Sequence, residues 1–328
     1  PADVAERIWE QVVAFADYGF PESHSVSFAH LVYASSWIKY HHPAAFCTAL
    51  INAQPMGFYA PHTLVQDARR HGVEVRTPDV QWSVDVATLE SDGSNSPAVR
   101  LGLRSVRGVG DELAVAIAAG RPWRSIEDLQ RRLDPGQAVL EALATAGAFG
   151  CFDLDRRSAL WSAGALATSG PDRLAGMATG VKAPPLPAMS APEVASADLW
   201  ATGVSPDGHP TRFLRRHLMA DGVLTAEELR SVADGHRVKV AGVVTHRQRP
   251  STAGGTVFIN LEDETGLVNV VVSRGCWARF QKVATGATGL VIKGRLERAT
   301  DGEGVLNVVA ERIEALGAVA TVRSRDFR

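Results

Sequence analysis

Leu103-Arg104-Ser105-Val106-Arg107-Gly108-Val109-Gly110-Asp111-Glu112-Leu113 is the stretch on which the reading of this chain turns. A short apolar turn runs into Gly108-Val109-Gly110, and Leu113, Ala114, Ile117 and Ala118 then recur at helical spacing up to Gly120. Two glycines flanking a branched apolar residue make a hairpin that tolerates positive φ and lets another backbone come close. Val109 is the expected core peg. The amides of Gly108 and Gly110, with the free N–H groups opening the next helix, form a concavity of donors that suits a phosphate without reading any base. Arg104 and Arg107 stand beside it. Two readings fit the tripeptide: a helix-hairpin-helix grip on a duplex backbone, and an ordinary glycine turn between helices.

Working outward, Ser125 caps a following helix with Asp128 three residues on, and Asp134-Pro135-Gly136 turns into a helix carrying Val139, Leu140, Leu143 and Ala144. This reads as a second, degenerate hairpin pair packed on the first. Upstream, Ile8, Trp9, Val12, Val13 and Phe15 mark one helix, and Phe28, Leu31, Val32, Ser35 and Ile38 another. Each set marks one face of a helix. Pro61 opens a further helix that Gly72 closes, Val73-Glu74-Val75 is a strand candidate, and Ser91 to Pro97 is a hairpin tip or loop. Residues Thr168 to Ser196, rich in Ala, Pro, Gly and Ser, read as an extended linker, with a helical connector after it. From Arg237 the period changes to strands: Val238–Thr245, Thr256–Leu261, Leu267–Val272, Thr288–Leu296 and Gly304–Glu311, with a helix at Trp277–Val283. Five strands with a helix between the third and fourth is the order of an OB-fold barrel, with Gly242 and Gly294 at its sharp bends. The run His246 to Gly255 reads as a long basic loop, where Arg247 and Arg249 are candidates for single-stranded nucleic acid or a partner protein.

The expected fold is multidomain α+β, divided at 1–97 (helical segment), 98–167 (tandem hairpins), 168–235 (linker and connector), 236–316 (barrel) and 317–328 (tail). The 328 residues carry a formal net charge of −2, so any contact with nucleic acid must be local rather than a bulk basic field. Three scattered cysteines without a CxxC pair point to free thiols in a reducing, cytoplasmic setting. No apolar run is long enough for a membrane span, and the first residues, Pro1-Ala2-Asp3-Val4, are unlike a signal peptide. Pro1 in place of an initiator Met points to numbering that begins inside a longer chain.

Chemistry is sparse. Asp153-Leu154-Asp155 has the form of a paired-carboxylate metal motif but lies in a turn with no third acid at strand spacing, and Glu262-Asp263-Glu264 reads as a turn between strands. His24, His41, His42, His62 and His71 follow no zinc pattern and are expected to cap helices or sit on the surface. Neither a Walker loop nor a complete GxGxxG occurs. No catalytic residue and no metal ligand is assigned.

Tyr18-Gly19-Phe20-Pro21-Glu22-Ser23-His24-Ser25, followed by Trp37-Ile38-Lys39-Tyr40-His41-His42-Pro43-Ala44-Ala45-Phe46, resembles the end of the fingers region of bacterial C-family DNA polymerases. Asp67 to Val73, Pro78-Asp79-Val80, Leu101-Gly102-Leu103 and Leu143 to Phe149 fit the same family. Gly203 to Pro210, His246 to Pro250 and the closing Ser324-Arg325-Asp326-Phe327-Arg328 bring it nearer the error-prone, ImuC-type branch, similar to the DNA polymerase III alpha subunit. The resemblance implies fingers, tandem helix-hairpin-helix and OB-fold in that order. Ser23 and His24 would contact nucleotide or primer terminus; Lys39 matches with them, without a particular contact. Arg104, Arg107, Gly108, Val109 and Gly110 would hold duplex phosphates. Glu22 stands where replicative relatives tend to carry Lys.

The resemblance also places the family's Mg²⁺-binding carboxylates upstream of Pro1, so this piece alone is expected to be inactive and to need no cofactor, while the parent is a Mg²⁺-dependent nucleotidyltransferase. Met189 to Trp200, where replicative relatives hold a clamp-binding peptide, contains no Gln. The implied partners are primer-template DNA and ImuB-like and ImuA-like adaptors of a mutagenesis complex, with the sliding clamp reached indirectly. The alternative is a protein-assembly module whose barrel binds those adaptors rather than DNA.

Overall fold

A computed structural model describes residues 2–16, 22–57, 59–91, 93, 97–166, 180–298, 305–317 and 325–327. Four helices come first: α1 (Ala2–Ala16), α2 (Glu22–His41), α3 (Pro43–Asn52) and α4 (Pro61–Arg70). Proline sits in the first turn of α3 and α4, where its missing N–H costs nothing. Gly72, at φ +80°, turns the chain after α4. The apolar stripes of α1 and α2 are exposed where their side chains are described: Trp9 is 68% exposed, Leu31 65% and Val32 61%, while the side chains of Val12 and Phe15 lie outside the described residues. Burial begins at α3 and α4, where Ala44, Cys47, Val65 and Ala68 join Val73, Val75, Val99 and Leu101 in one small core.

Over that core lies a sheet of β1 (Val75–Arg76), β2 (Thr88–Glu90) and β3 (Ala98–Arg100), with β3 central, parallel to β1 and antiparallel to β2. The antiparallel pair closes around the polar stretch expected as a hairpin tip, of which Asp92 and residues 94–96 lie outside the described residues. Glu90 ion-pairs with Arg76 and Arg100, both at 2.8 Å.

The next unit holds α5 (Asp111–Ala119), α6 (Ile126–Leu133), α7 (Gln137–Ala146) and α8 (Arg156–Leu166). Ser125 caps α6 as expected, its Oγ accepting from the Asp128 amide at 3.1 Å. Leu103, Val109, Ile117, Leu129, Leu140, Leu143 and Phe149 fill one core. The segment expected to run extended to Ser196 is instead helical from Ala191: α9 spans Ala191–Thr202. Ser190 starts it, its amide donating to the Glu193 carboxylate at 2.8 Å. Arg156 ties α9 to this unit, donating to Thr145 O at 3.0 Å and pairing with the buried Asp198 at 2.6 Å. Helix α10 (Pro210–Ala220) then leads to the barrel.

The barrel strands are β4 (Arg237–Gln248), β5 (Val257–Glu262), β6 (Leu267–Val272), β7 (Gly289–Arg298) and β8 (Leu306–Ala315), with α11 (Arg274–Gly286) between β6 and β7. The order β5-β6-β8-β7-β4, closed by β4 on β5, makes a five-stranded OB-fold barrel as expected. A short β9 (Arg325–Phe327) runs parallel to the end of β4; Ser324 and Arg328 of the closing motif lie outside the described residues. Both predicted bend glycines are explained by close backbone approach. A Cβ on Gly242 would come within 2.7 Å of Glu262 O, and one on Gly294 within 2.2 Å of Val309 O, where the β7–β8 register shifts. Gly294→Ala is therefore expected to cost about 1–3 kcal/mol, read as a lowered urea midpoint.

Candidate nucleic-acid interface

The first hairpin is built as the tripeptide suggested, with one difference. Gly108 takes φ +80°, but Gly110 is extended at φ −78° and serves as the N-cap of α5. Val109 is the peg, 6% exposed, its amide donating to Val106 O at 3.0 Å. The first intrahelical bond of α5 is Ala114 N–H to Gly110 O at 2.9 Å, so the first-turn amides of residues 111–113 point out of the helix end. Asp134 at φ +46° and Gly136 at φ +81° form a second turn between α6 and α7. A Cβ on Gly108 would touch Val139 Cγ2 of α7 at 3.4 Å, so the first hairpin lies directly on the second pair.

The flanking cations have local partners. Arg104 pairs with Asp111 at 2.7 Å, both exposed. The Arg107 amide donates to Ala201 O of α9 at 2.7 Å, and its guanidinium lies over the Trp200 ring at 4.9 Å. An exposed pair of this kind is worth little in water and exchanges readily for a phosphate. Asp111 and Glu112 in the first turn of α5 occupy the positive end of the helix that a phosphate would also seek.

The three fingers candidates do not converge. Ser23 is the second residue of α2, its side chain outside the described residues; His24 is exposed, its ring edge-on to Phe28 at 4.4 Å. Lys39 pairs with Asp67 of α4 at 2.9 Å. Fifteen residues of helix separate His24 from Lys39, roughly 22 Å along the axis.

On the barrel, the basic stretch is not a loop throughout. Strand β4 continues to Gln248, and Arg247, 7% exposed, donates Nε to Ala284 O at 2.6 Å and Nη2 to Ala287 O at 2.7 Å. Its charge caps the C-terminal end of α11, where carbonyls are left over by the helix, so it is fixed in the fold rather than offered to a strand of DNA. Arg249 is exposed beyond the strand end, and Phe258 on β5 is 36% exposed.

A polar seam went unforeseen. Expected to cap a helix or sit on the surface, His62 is 1% exposed and stacks on the equally buried His209, ring centroids 5.5 Å apart. Around them, Glu262 accepts from Thr63 at 2.9 Å and pairs with Arg70 at 3.2 Å. Gln66 donates to Ser205 O at 3.0 Å, and Arg215 grips Glu264 and Asp263. Helices α4 and α10 thus clasp one corner of the barrel.

Asp153 and Asp155 do not form a paired Mg²⁺ site: Asp155 accepts the amides of Arg157 and Ser158 at 2.9 and 3.0 Å, capping α8, and Asp153 occupies a left-handed turn. Among the described residues no three His, Cys, Asp or Glu side chains stand together to hold a metal, and no helix is long and apolar enough to cross a membrane.

A helix-hairpin-helix motif model matches residues 72–160, and an OB-fold nucleic acid binding domain model matches 238–316. Over its whole length the chain is 54% identical to the error-prone DNA polymerase of Mycolicibacterium paratuberculosis and 55% identical to that of Mycobacterium tuberculosis. Over its whole length the chain corresponds to one part of the proteins named error-prone DNA polymerase. The Nocardia farcinica error-prone DNA polymerase is 52% identical over 99% of the chain. The chain spans about 30% of the length of the error-prone polymerases of M. paratuberculosis and M. tuberculosis. Among solved structures, an asparaginyl-tRNA synthetase from Pyrococcus horikoshii shares 24% identity over 30% of this chain and 24% of its own, TM-score 0.26. The hypothetical protein ygiW from E. coli shares 19% over 29% of this chain and 89% of its own, TM-score 0.21. Neither likeness is high enough to argue from.

Proposed function

We propose that this chain is the DNA-holding part of an error-prone DNA polymerase that copies damaged templates in the cytoplasm. The observation that carries it is the hairpin at Gly108-Val109-Gly110, pegged by Val109 and facing outward with the first-turn amides of α5. The tandem hairpins grip product-duplex phosphates, and Arg104 and Arg107 exchange their surface partners for DNA. Of the two barrel cations, Arg249 is the one placed to meet single-stranded template; Arg247 supports the barrel. Ser23 and His24 serve nucleotide or primer terminus, and Lys39 holds α2 on α4. The outward apolar faces of α1 and α2 are where the remainder of the polymerase packs, and Mg²⁺-dependent nucleotidyl transfer belongs to that remainder.

Combining Gly108→Asp with Arg107→Glu is expected to weaken duplex binding by at least about tenfold at low salt, measured by fluorescence anisotropy. Unchanged affinity removes the hairpin from this role.

A second reading is favoured by Asp111 and Glu112 at the hairpin and by the net charge of −2: an assembly module that docks ImuB-like and ImuA-like adaptors, which reach the clamp on its behalf. Titration of duplex and single strands at two salt concentrations separates the two. Tight, salt-sensitive binding supports the DNA reading; no binding at low salt, with adaptors still captured, supports the assembly reading.

A further inference from the structure

Trp82 is 66% exposed, yet residues on both sides of it are held by hydrogen bonds. The Val80 amide donates to Ala148 O at 3.0 Å, and Gln81 exchanges two hydrogen bonds with the Trp123 backbone, at 2.6 and 3.0 Å. Asp79 accepts the Gln81 amide at 2.7 Å, while Ser83 accepts the Asp79 amide at 2.9 Å and donates to Leu101 O at 2.8 Å. The fold thereby holds the backbone beneath a large ring that stays two-thirds exposed.

The ring borders an open hollow of about 490 Å³, lined also by Gln81, Arg121, Pro122 and Cys151. Arg121 donates Nε to Val80 O at 3.0 Å, which leaves its Nη2 buried and without a protein acceptor. A guanidinium nitrogen in that state is incompletely satisfied until something brings an oxygen to it. Arg124, three residues on, is exposed. Burial, aided by Asp79, pushes the Cys151 thiol up to about 12, so it contributes a neutral wall and no nucleophile.

We propose that this hollow receives one unpaired base of single-stranded DNA, stacked on the Trp82 indole with a base carbonyl or phosphate oxygen on the Arg121 guanidinium. An indole face and a guanidinium donor together match a planar ring tied to an anion, and a base inside a duplex has no free face to offer. The platform belongs to the hairpin unit and not to the barrel, so it adds a single-strand contact to the DNA-holding reading on which it rests.

The test uses the whole chain and two fluorescein-labelled probes, an oligothymidylate and a blunt duplex, followed by anisotropy. Trp82→Ala is expected to weaken oligothymidylate binding roughly 5- to 150-fold, with Trp82→Phe retaining most of it and duplex affinity unchanged in both. Unaltered oligothymidylate binding by Trp82→Ala, with duplex still bound, overturns this proposal alone. Binding of neither probe by the unsubstituted chain overturns it together with the DNA-holding reading.

Discussion

Arg70→Met is expected to destabilise the seam between α4 and the barrel by about 3–5 kcal/mol, because it strands a charge that water barely reaches. Glu262 is 1% exposed; its charge is met by Arg70 at 3.2 Å and by the Thr63 hydroxyl at 2.9 Å. Burial pushes the Glu262 carboxyl up, against the pull of that guanidinium and hydroxyl. Without Arg70 only the Thr63 hydroxyl opposes that push, so the carboxyl takes a proton or the seam opens. Glu262→Gln in the same chain removes the charge and is expected to restore much of the loss, a coupling that a double-mutant cycle in urea reads directly. If Arg70→Met alone leaves the unfolding midpoint where it was, Glu262 is already neutral at the working pH and the ion pair contributes no stability. The cycle also bears on function, since this clasp sets where the barrel lies relative to the helices that carry Lys39.

The parts of this fold that sequence made legible are those governed by neighbours in the chain. The Val109 peg, the Ser125 cap and the bend glycines Gly242 and Gly294 each follow from a local rule, and each stands as expected. What misled was composition. Ala and Pro around residue 190 suggested a linker, although Ser190-Ala191-Pro192-Glu193 carries a helix-start signal. Basic residues ahead of Gly254-Gly255 suggested a loop from His246, although β4 runs on to Gln248 and turns Arg247 inward. The stripes of α1 and α2 gave the helices but not their surroundings, because periodicity marks a face without saying what covers it.

The seam and the Trp82 hollow were out of reach for another reason. His62, Arg70, His209, Arg215, Glu262 and Glu264 come from three distant stretches, and each alone reads as a surface polar residue. Only the closed barrel brings them together. Trp82 is a single aromatic with no periodic partner, and its meaning comes from hydrogen bonds made by the residues on either side.

Acidification is the second large effect expected. The His62 imidazole is pushed down to about 4, first by burial and then by Arg70 and Arg69, and His209 is held well below its ordinary range by burial, by His62 and by Arg70 and Arg215. His62 Nδ1 accepts the Ser205 amide at 3.4 Å and His209 Nδ1 accepts the Thr211 amide at 3.3 Å, so both rings are neutral with the proton on Nε2. The acids nearby are engaged elsewhere, Glu262 by Arg70 and Thr63, Glu264 by Arg215 and Thr211. An unfolded chain protonates both rings near pH 6.5, whereas the folded chain resists until far lower. Between those values the unfolded state binds more protons, so stability is full above pH 6.5 and falls as the pH drops toward 4, by roughly 3 kcal/mol for His62 alone. His62→Gln, which cannot take up a proton, is expected to flatten that slope in thermal melts over this window, even where it lowers the melting temperature throughout. A slope as steep as that of the unsubstituted chain would assign the acid sensitivity to the carboxylates of the seam instead of to the stacked rings.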